Sequence, residues 1–335
     1  MTPALWVLPC VLGFSAPGFS LSVEPASAAQ GSLVLVRVRT MTEATPRRMV
    51  AKLGGARSHG FPWTGGDLVA LLPVGHQERL GTRPVMVEVL DARGTLHRAE
   101  LHLGVTAGDF DTDELGVSKR FLDPSPRQRA QARADARAFE EAWRRADPVR
   151  RWRGSFVAPV EKAVTAPYGT FRTINGRTQS RHLGVDYRGK RGDPVRASND
   201  GRVLLARACF FSGNTVVLDH GGGVHTLYFH LARFMVKAGQ VVKKGQVLGA
   251  VGDTGRVTGP HLHWGVKVAN TNVDPLRLLA LDLSADPLAS PSGRLHRAVI
   301  ARPVPRADVG ARPTAAAPVV EDRPPAGADA VAGEP

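Results

Sequence analysis

The 335-residue chain has only two cysteines, and one of them, Cys10, lies in an apolar stretch near the start. Once that stretch is removed Cys209 stands alone, so no internal disulfide can staple the mature fold. Cys209 sits in A-C-F-F, a context for a buried apolar residue rather than a nucleophile. Lysine is scarce as well. Only 8 of the 44 basic residues are lysine, which makes the net charge of +14 an arginine property. Two explanations of that excess stay open: compositional bias on a solvated surface, and attraction to an anionic polymer. No helix-turn-helix, zinc-finger or aromatic RNA-binding signature accompanies the charge, so no nucleic-acid partner is expected. Residues 4–14 are apolar but too short a run to span a membrane. They also lack a basic start, since the first Lys or Arg is Arg37. Their length and the small residues from Ser15 to Ser20 still predict a signal peptide over 1–20, cleaved between Ser15 and Ser22. The protein is then expected in the periplasm or outside the cell, without stable membrane insertion. Residues 284–335 contain no aromatic residue but 9 prolines and 13 alanines. Such a segment cannot bury enough apolar surface to offset its ordering, which predicts a disordered tail over 283–335.

The residues that are present read as mostly β. Segments 21–25, 32–40, 67–74, 83–91 and 97–105 alternate or run apolar, and D-A-R-G-T (91–95) is a hairpin turn. They predict a β-sandwich over 21–107. A connector over 108–153 holds one helix, Ser125 to Asp147, rich in alanine, arginine and glutamate and stopped by Asp147-Pro148. Phe139 and Trp143 give it a single apolar contact point, so it is expected to act as a surface spacer. Residues 154–282 are again β-rich with glycine turns.

Four phrases in that last region carry the chemistry: R-H-L-G-V-D (181–186), L-Y-F-H-L (227–231), G-D-T-G (252–255) and G-P-H-L-H-W-G-V (259–266). In a strand, residues i and i+2 share a face, so His261 and His263 project together while Leu262 and Trp264 pack behind them. The same parity is expected to put Tyr228 and His230 on one face. His182 and Asp186, four apart across a glycine, can reach one metal. Two imidazoles and a carboxylate partly neutralise a zinc ion while keeping its Lewis acidity. V-K-A-G-Q-V-V-K-K-G-Q-V-L-G-A-V-G (236–252), two short arms around glycines, is a pattern shared with lipoyl and biotinyl carriers, but Lys243 and Lys244 lack the flanking residues a carrier lysine needs. His220 and His225 flank a triple-glycine turn as further candidate ligands, and a site with three ligands needs neither.

Together these phrases resemble the catalytic domain of the lysostaphin-type (LytM-domain) zinc metallopeptidases over roughly residues 154–280. F-V-A-P-V (156–160), G-D-P-V-R-A-S-N-D-G-R-V (192–203) and G-N-T-V-V-L-D-H-G (213–221) extend the match. Tyr168 stands where the family usually has phenylalanine. The resemblance implies one Zn²⁺ per chain held by His182, Asp186 and His263, with His230 and His261 as unligated catalytic histidines. It implies an exported zinc metalloendopeptidase (domain 154–282) that hydrolyses peptide crosslinks or stems of bacterial peptidoglycan. Some relatives have lost ligands and act instead as non-catalytic regulators of separate cell-wall amidases. That alternative is opposed here by the presence of all five residues.

Overall fold

The computed structural model describes residues 14–16, 18–41, 45–176 and 178–283. The expected tail from residue 284 on and the first 13 residues of the expected leader lie outside these. The described fold is mostly β. In its N-terminal part, Leu33–Thr40 is the centre of a five-stranded sheet, paired antiparallel with Phe19–Glu24 and Leu68–Pro73. A second five-stranded sheet runs Ser27–Ala29, Leu96–Thr106, Gly81–Asp91, Pro46–Leu53, Ala56–His59. The residues between the sheets, among them Val36, Leu72, Met49, Val87 and Leu103, form one apolar core. Phe19, inside the expected leader, is 1% exposed in that core, so cleavage before Phe19 keeps the core whole. Pro46–Leu53 and Ala56–His59 were not among the expected strands. A register shift between Pro46 and Arg48 interrupts the two-residue alternation at the start of the first, and the second is only four residues long.

The other face of the first sheet is buried too. Leu33, Phe61, Trp63, Val69 and Leu71 join a core that also contains Trp152 of the connector and Tyr168, Tyr228 and Trp264 beyond it. Burial on both faces is why L-V-A-L-L-P (68–73) reads as a continuous apolar run. Tyr168 has a specific partner at this junction. Its ring lies against Gly31, whose φ is +85° and where a Cβ would come within 2.7 Å of the ring. Its hydroxyl donates to the Asn272 carbonyl at 2.9 Å. The ring thus meets the first sheet's region, while the hydroxyl that phenylalanine would lack bonds within residues 154–282.

The helix Pro126–Arg144 begins with a capping box: Gln128 N–H donates to Ser125 Oγ, and Ser125 N–H donates to Gln128 Oε1. It is not a spacer. Phe139 and Ala142 pack on Leu204, Val217, Leu227 and Phe229 of the second domain's main sheet. Burying Phe139 contributes roughly 2–3 kcal/mol. Buried Asp135 accepts from Arg207 Nε at 2.9 Å and from the Phe210 N–H at 2.8 Å. A single apolar contact point was legible in the sequence, but the matching depression on the sheet was not.

The second domain's main sheet places Val164–Ala166, Val185–Arg188, His261–Val268, Val224–Phe234, Gly213–Asp219 and Gly201–Cys209 side by side. One irregularity decides how its site is built. The register of Val224–Phe234 on Gly213–Asp219 slips between the pairs Asn214↔Leu231 and Val216↔Tyr228. His230 adopts φ +62° in that slip. The expected parity therefore fails. Tyr228 turns into the core, where its hydroxyl accepts from Ser198 N–H at 3.0 Å, while Phe229 and His230 both face the cleft.

His220 and His225 lie away from that cleft. His220 donates from Nδ1 to the Asp200 carbonyl, and its Nε2 lies 2.7 Å from Thr226 Oγ1. His225 packs edge-on against Trp143. Burial pushes both down to about 4, with Lys267 adding to the effect at His225. An unfolded histidine titrates near 6.5. Above that pH neither state is protonated. As pH falls from 6.5 to 4 the unfolded chain takes up protons that the fold refuses, so stability is lost across that window. The expected loss is on the order of 3 kcal/mol per histidine. Denaturant midpoints measured from pH 7.5 to 4.5 check this, and a flat profile contradicts it.

Candidate metal centre and its cleft

Asp186 and His263 are a direct cross-strand pair, because Val185–Arg188 runs antiparallel to His261–Val268 in that register. His182 follows the hairpin strand Thr178–Arg181 and is pinned by backbone bonds, its N–H to the Thr170 carbonyl and its carbonyl from Gly169 N–H. Three atoms converge: His182 Nε2, His263 Nδ1 and Asp186 Oδ1, each 2.9 Å from the other two. All three residues are buried. His182 Nδ1 sits 2.8 Å from the Pro167 carbonyl, which can only accept, so the proton is on Nδ1 and a bare lone pair is on Nε2. A lone pair, a second imidazole nitrogen and a carboxylate oxygen aimed at one focus repel one another unless a cation lies there. The donor set fits zinc with three protein ligands, and the fourth side faces the cleft.

The neighbours hold this cluster in place. Arg172, on the hairpin strand Phe171–Ile174, donates from Nη2 to Asp186 Oδ2 at 2.8 Å, leaving Oδ1 for the focus. Burial alone would raise the Asp186 carboxyl, but hydrogen bonds and charge from His182 and His263 hold it well below the usual carboxylate range. Burial lowers His182. Phe229 stacks on His263 at 5.1 Å and 11°, and Phe139 of the docked helix meets Phe229 edge-on at 6.3 Å. At Gly184 a Cβ would stand 2.6 Å from His263 Nε2 and from the Trp264 carbonyl, so the glycine of H-L-G-V-D is required by close approach.

His230 and His261 stand beside the cluster with ring centroids 5.0 Å apart. Each donates its Nδ1 proton to a backbone carbonyl, His230 to Thr254 at 2.8 Å and His261 to Gly259 at 2.9 Å. Both Nε2 atoms are therefore acceptors when the rings are neutral. His261 Nε2 lies 3.8 Å from Asp186 Oδ1. Burial, then the neighbouring His261 and His263, pushes His230 well below its ordinary value. The G-D-T-G turn explains itself through Thr254. Its Oγ1 donates to the Leu231 carbonyl and accepts from Asn214 N–H, which fixes the carbonyl that holds His230.

Four of the five residues singled out in the sequence, Asp186, His230, His261 and His263, thus line one cleft of about 330 Å³, and the fully buried His182 reaches it only through the triangle. The sequence reading missed Arg172, Phe229 and Thr254 as their supports. Only Thr254 carried a local signal, its place in the glycine-flanked turn. Arg172 and Phe229 act across strands that no spacing connects.

Residues 180–275 match the family model described as Peptidase family M23. Over 124 residues, 36% of this chain, the sequence is 40% identical to peptidoglycan DD-endopeptidase ShyB of Vibrio cholerae, of which 29% is covered. Over 112 residues, 32% of this chain, it is 41% identical to glycyl-glycine endopeptidase ALE-1 of Staphylococcus capitis, of which 30% is covered. The chain thus spans less than a third of the length of these two relatives. A crystal structure from Pseudomonas aeruginosa described as a peptidase M23 aligns with 75% of this chain and 94% of itself, at 25% identity and a TM-score of 0.58. Because the matched segment contains the three converging donors and both cleft histidines, residues 180–275 form a domain of the peptidase M23, lysostaphin type.

Proposed function

We propose that the protein is a zinc endopeptidase that hydrolyses peptide crosslinks or stems of bacterial peptidoglycan outside the cytoplasm. The observation that carries this is the 2.9 Å triangle of His182 Nε2, Asp186 Oδ1 and His263 Nδ1, flanked by two acceptor nitrogens. One zinc ion held by these three supplies Lewis acidity towards a peptide carbonyl and a water. The chain's own residues do the rest. His230, which burial disfavours in its charged form, and His261 accept the water's proton at Nε2 and in their protonated form donate to the developing oxyanion or the leaving amine. The two nitrogens share these roles. Arg172 orients Asp186 through its hydrogen bond to Oδ2, and Phe229 holds the ring of His263. The relative named as a peptidoglycan DD-endopeptidase supports the substrate class.

The test is mass spectrometry of muropeptides released from purified peptidoglycan by the protein with and without a chelator. Loss of crosslinked species, abolished by the chelator, is expected. An unchanged digest from zinc-loaded protein contradicts the proposal and leaves the regulator reading in its place.

A further inference from the structure

The cleft has a wall that the matched family segment does not supply. Thr112–Leu115, from the connector before the helix, pairs in parallel with Phe171–Ile174 and completes a three-stranded sheet with Thr178–Arg181. The attachment is specific. Phe171 N–H donates to the Asp111 carbonyl, and Asn175 N–H to that of Leu115. The Asn175 side chain clamps Val117 from both sides, accepting from its N–H and donating to its carbonyl, each at 2.8 Å. Upstream, the Phe110 ring lies against Gly169, where a Cβ would overlap it, and under the Arg181 guanidinium at 5.0 Å.

Strand parity then selects what the wall shows. Asp113, Leu115 and Val117 line the cleft, while Thr112 and Glu114 do not. The cleft's two arginines are engaged: Arg172 on Asp186, and Arg256 over the Phe211 ring at 5.3 Å. Asp113 is exposed and its carboxylate has no hydrogen-bond or ion-pair partner among the described residues. The wall is therefore an aliphatic surface with one unpaired anion beside the candidate metal centre. An anion placed so will recognise a cation on whatever peptide crosses the cleft, and the cation that wall peptides carry is the side-chain amine of a diamino acid.

We infer that the connector strand Thr112–Leu115 is a specificity wall of the substrate cleft and that Asp113 pairs with a free amino group on the substrate peptide. The inference rests on the endopeptidase reading, and its experiment separates the two. Two synthetic peptides identical except for one diamino-acid side chain, amine free or acetylated, are given to the full chain. Cleavage by the zinc-loaded protein and equilibrium binding to the chelator-treated protein are both measured. The free amine is expected to be preferred by roughly two- to fivefold in each, less at high salt. Asp113→Glu keeps the ratio, Asp113→Asn brings it towards one, and Asp113→Lys inverts it. A structural role for Asp113 would change both peptides together and leave the ratio alone. A wild-type ratio of one, or a ratio indifferent to charge at position 113, overturns the inference even if both peptides are cut. Charge-dependent binding without cleavage overturns the peptidase reading and supports the wall. Neither binding nor cleavage overturns both.

Discussion

His261→Ala is expected to retain close to one zinc per chain and a near-native melting curve while losing turnover by roughly two to four orders of magnitude. The expectation follows from where the ring is tied. His261 Nδ1 is committed to the Gly259 carbonyl, and its Nε2 stands 3.8 Å from Asp186 Oδ1, outside the 2.9 Å triangle. Removing it takes away a proton acceptor and leaves the three donors intact. His230→Ala is expected to behave in the same way, because its Nδ1 is tied to Thr254 and its Nε2 opens on the same cleft. Metal content per chain measured beside peptidoglycan-degrading activity checks both. Loss of zinc from His261→Ala, or full activity in both variants, sinks the assignment.

The complementary expectation concerns the donors. His263→Ala leaves His182 and Asp186 as a two-ligand site, and bound zinc should fall far below one per chain. The stabilisation that added zinc confers on the wild-type protein should vanish with it, since that stabilisation depends on binding to the fold. Asp186→Ala should lose zinc equally and destabilise the metal-free protein further. It strands Arg172, whose side chain is 12% exposed and whose Nη2 now bonds Asp186 Oδ2. Removing one partner of a nearly buried pair costs on the order of 3 kcal/mol. Melting temperatures of both variants in chelator separate the two effects. Equal stability of the two would show that Arg172 finds another partner, and near-stoichiometric zinc in His263→Ala would remove it from the ligand set.

The five candidate site residues could be singled out because the patterns that mark them are local. H-x-H on a strand needs only two-residue parity, and it put His261 and His263 on one side with Leu262 and Trp264 in the core behind them. His182 and Asp186 lie four apart with Gly184 leaving room for the His263 ring. The same parity rule failed at L-Y-F-H-L, because a bulge against Asn214 and Val216 inserts a residue and turns His230 to positive φ. A bulge is set by the partner strand's register, and nothing in the five residues announces it. The doubly buried strand Leu68–Pro73 was visible as an apolar run, but not that its second face meets another domain.

What the sequence determined by itself is the donor chemistry, the mostly β architecture and the turns that present the donors, since each depends on residues within a few positions of one another. The tertiary structure decided the rest: that Arg172 orients Asp186, that Phe139 buttresses Phe229 and through it His263, and that the connector strand walls the cleft. Those contacts join segments 14, 90 and some 60 residues apart. Which of many arginines or phenylalanines meets a given donor depends on sheet order and helix docking, and these are settled by the burial of whole faces rather than by any short motif.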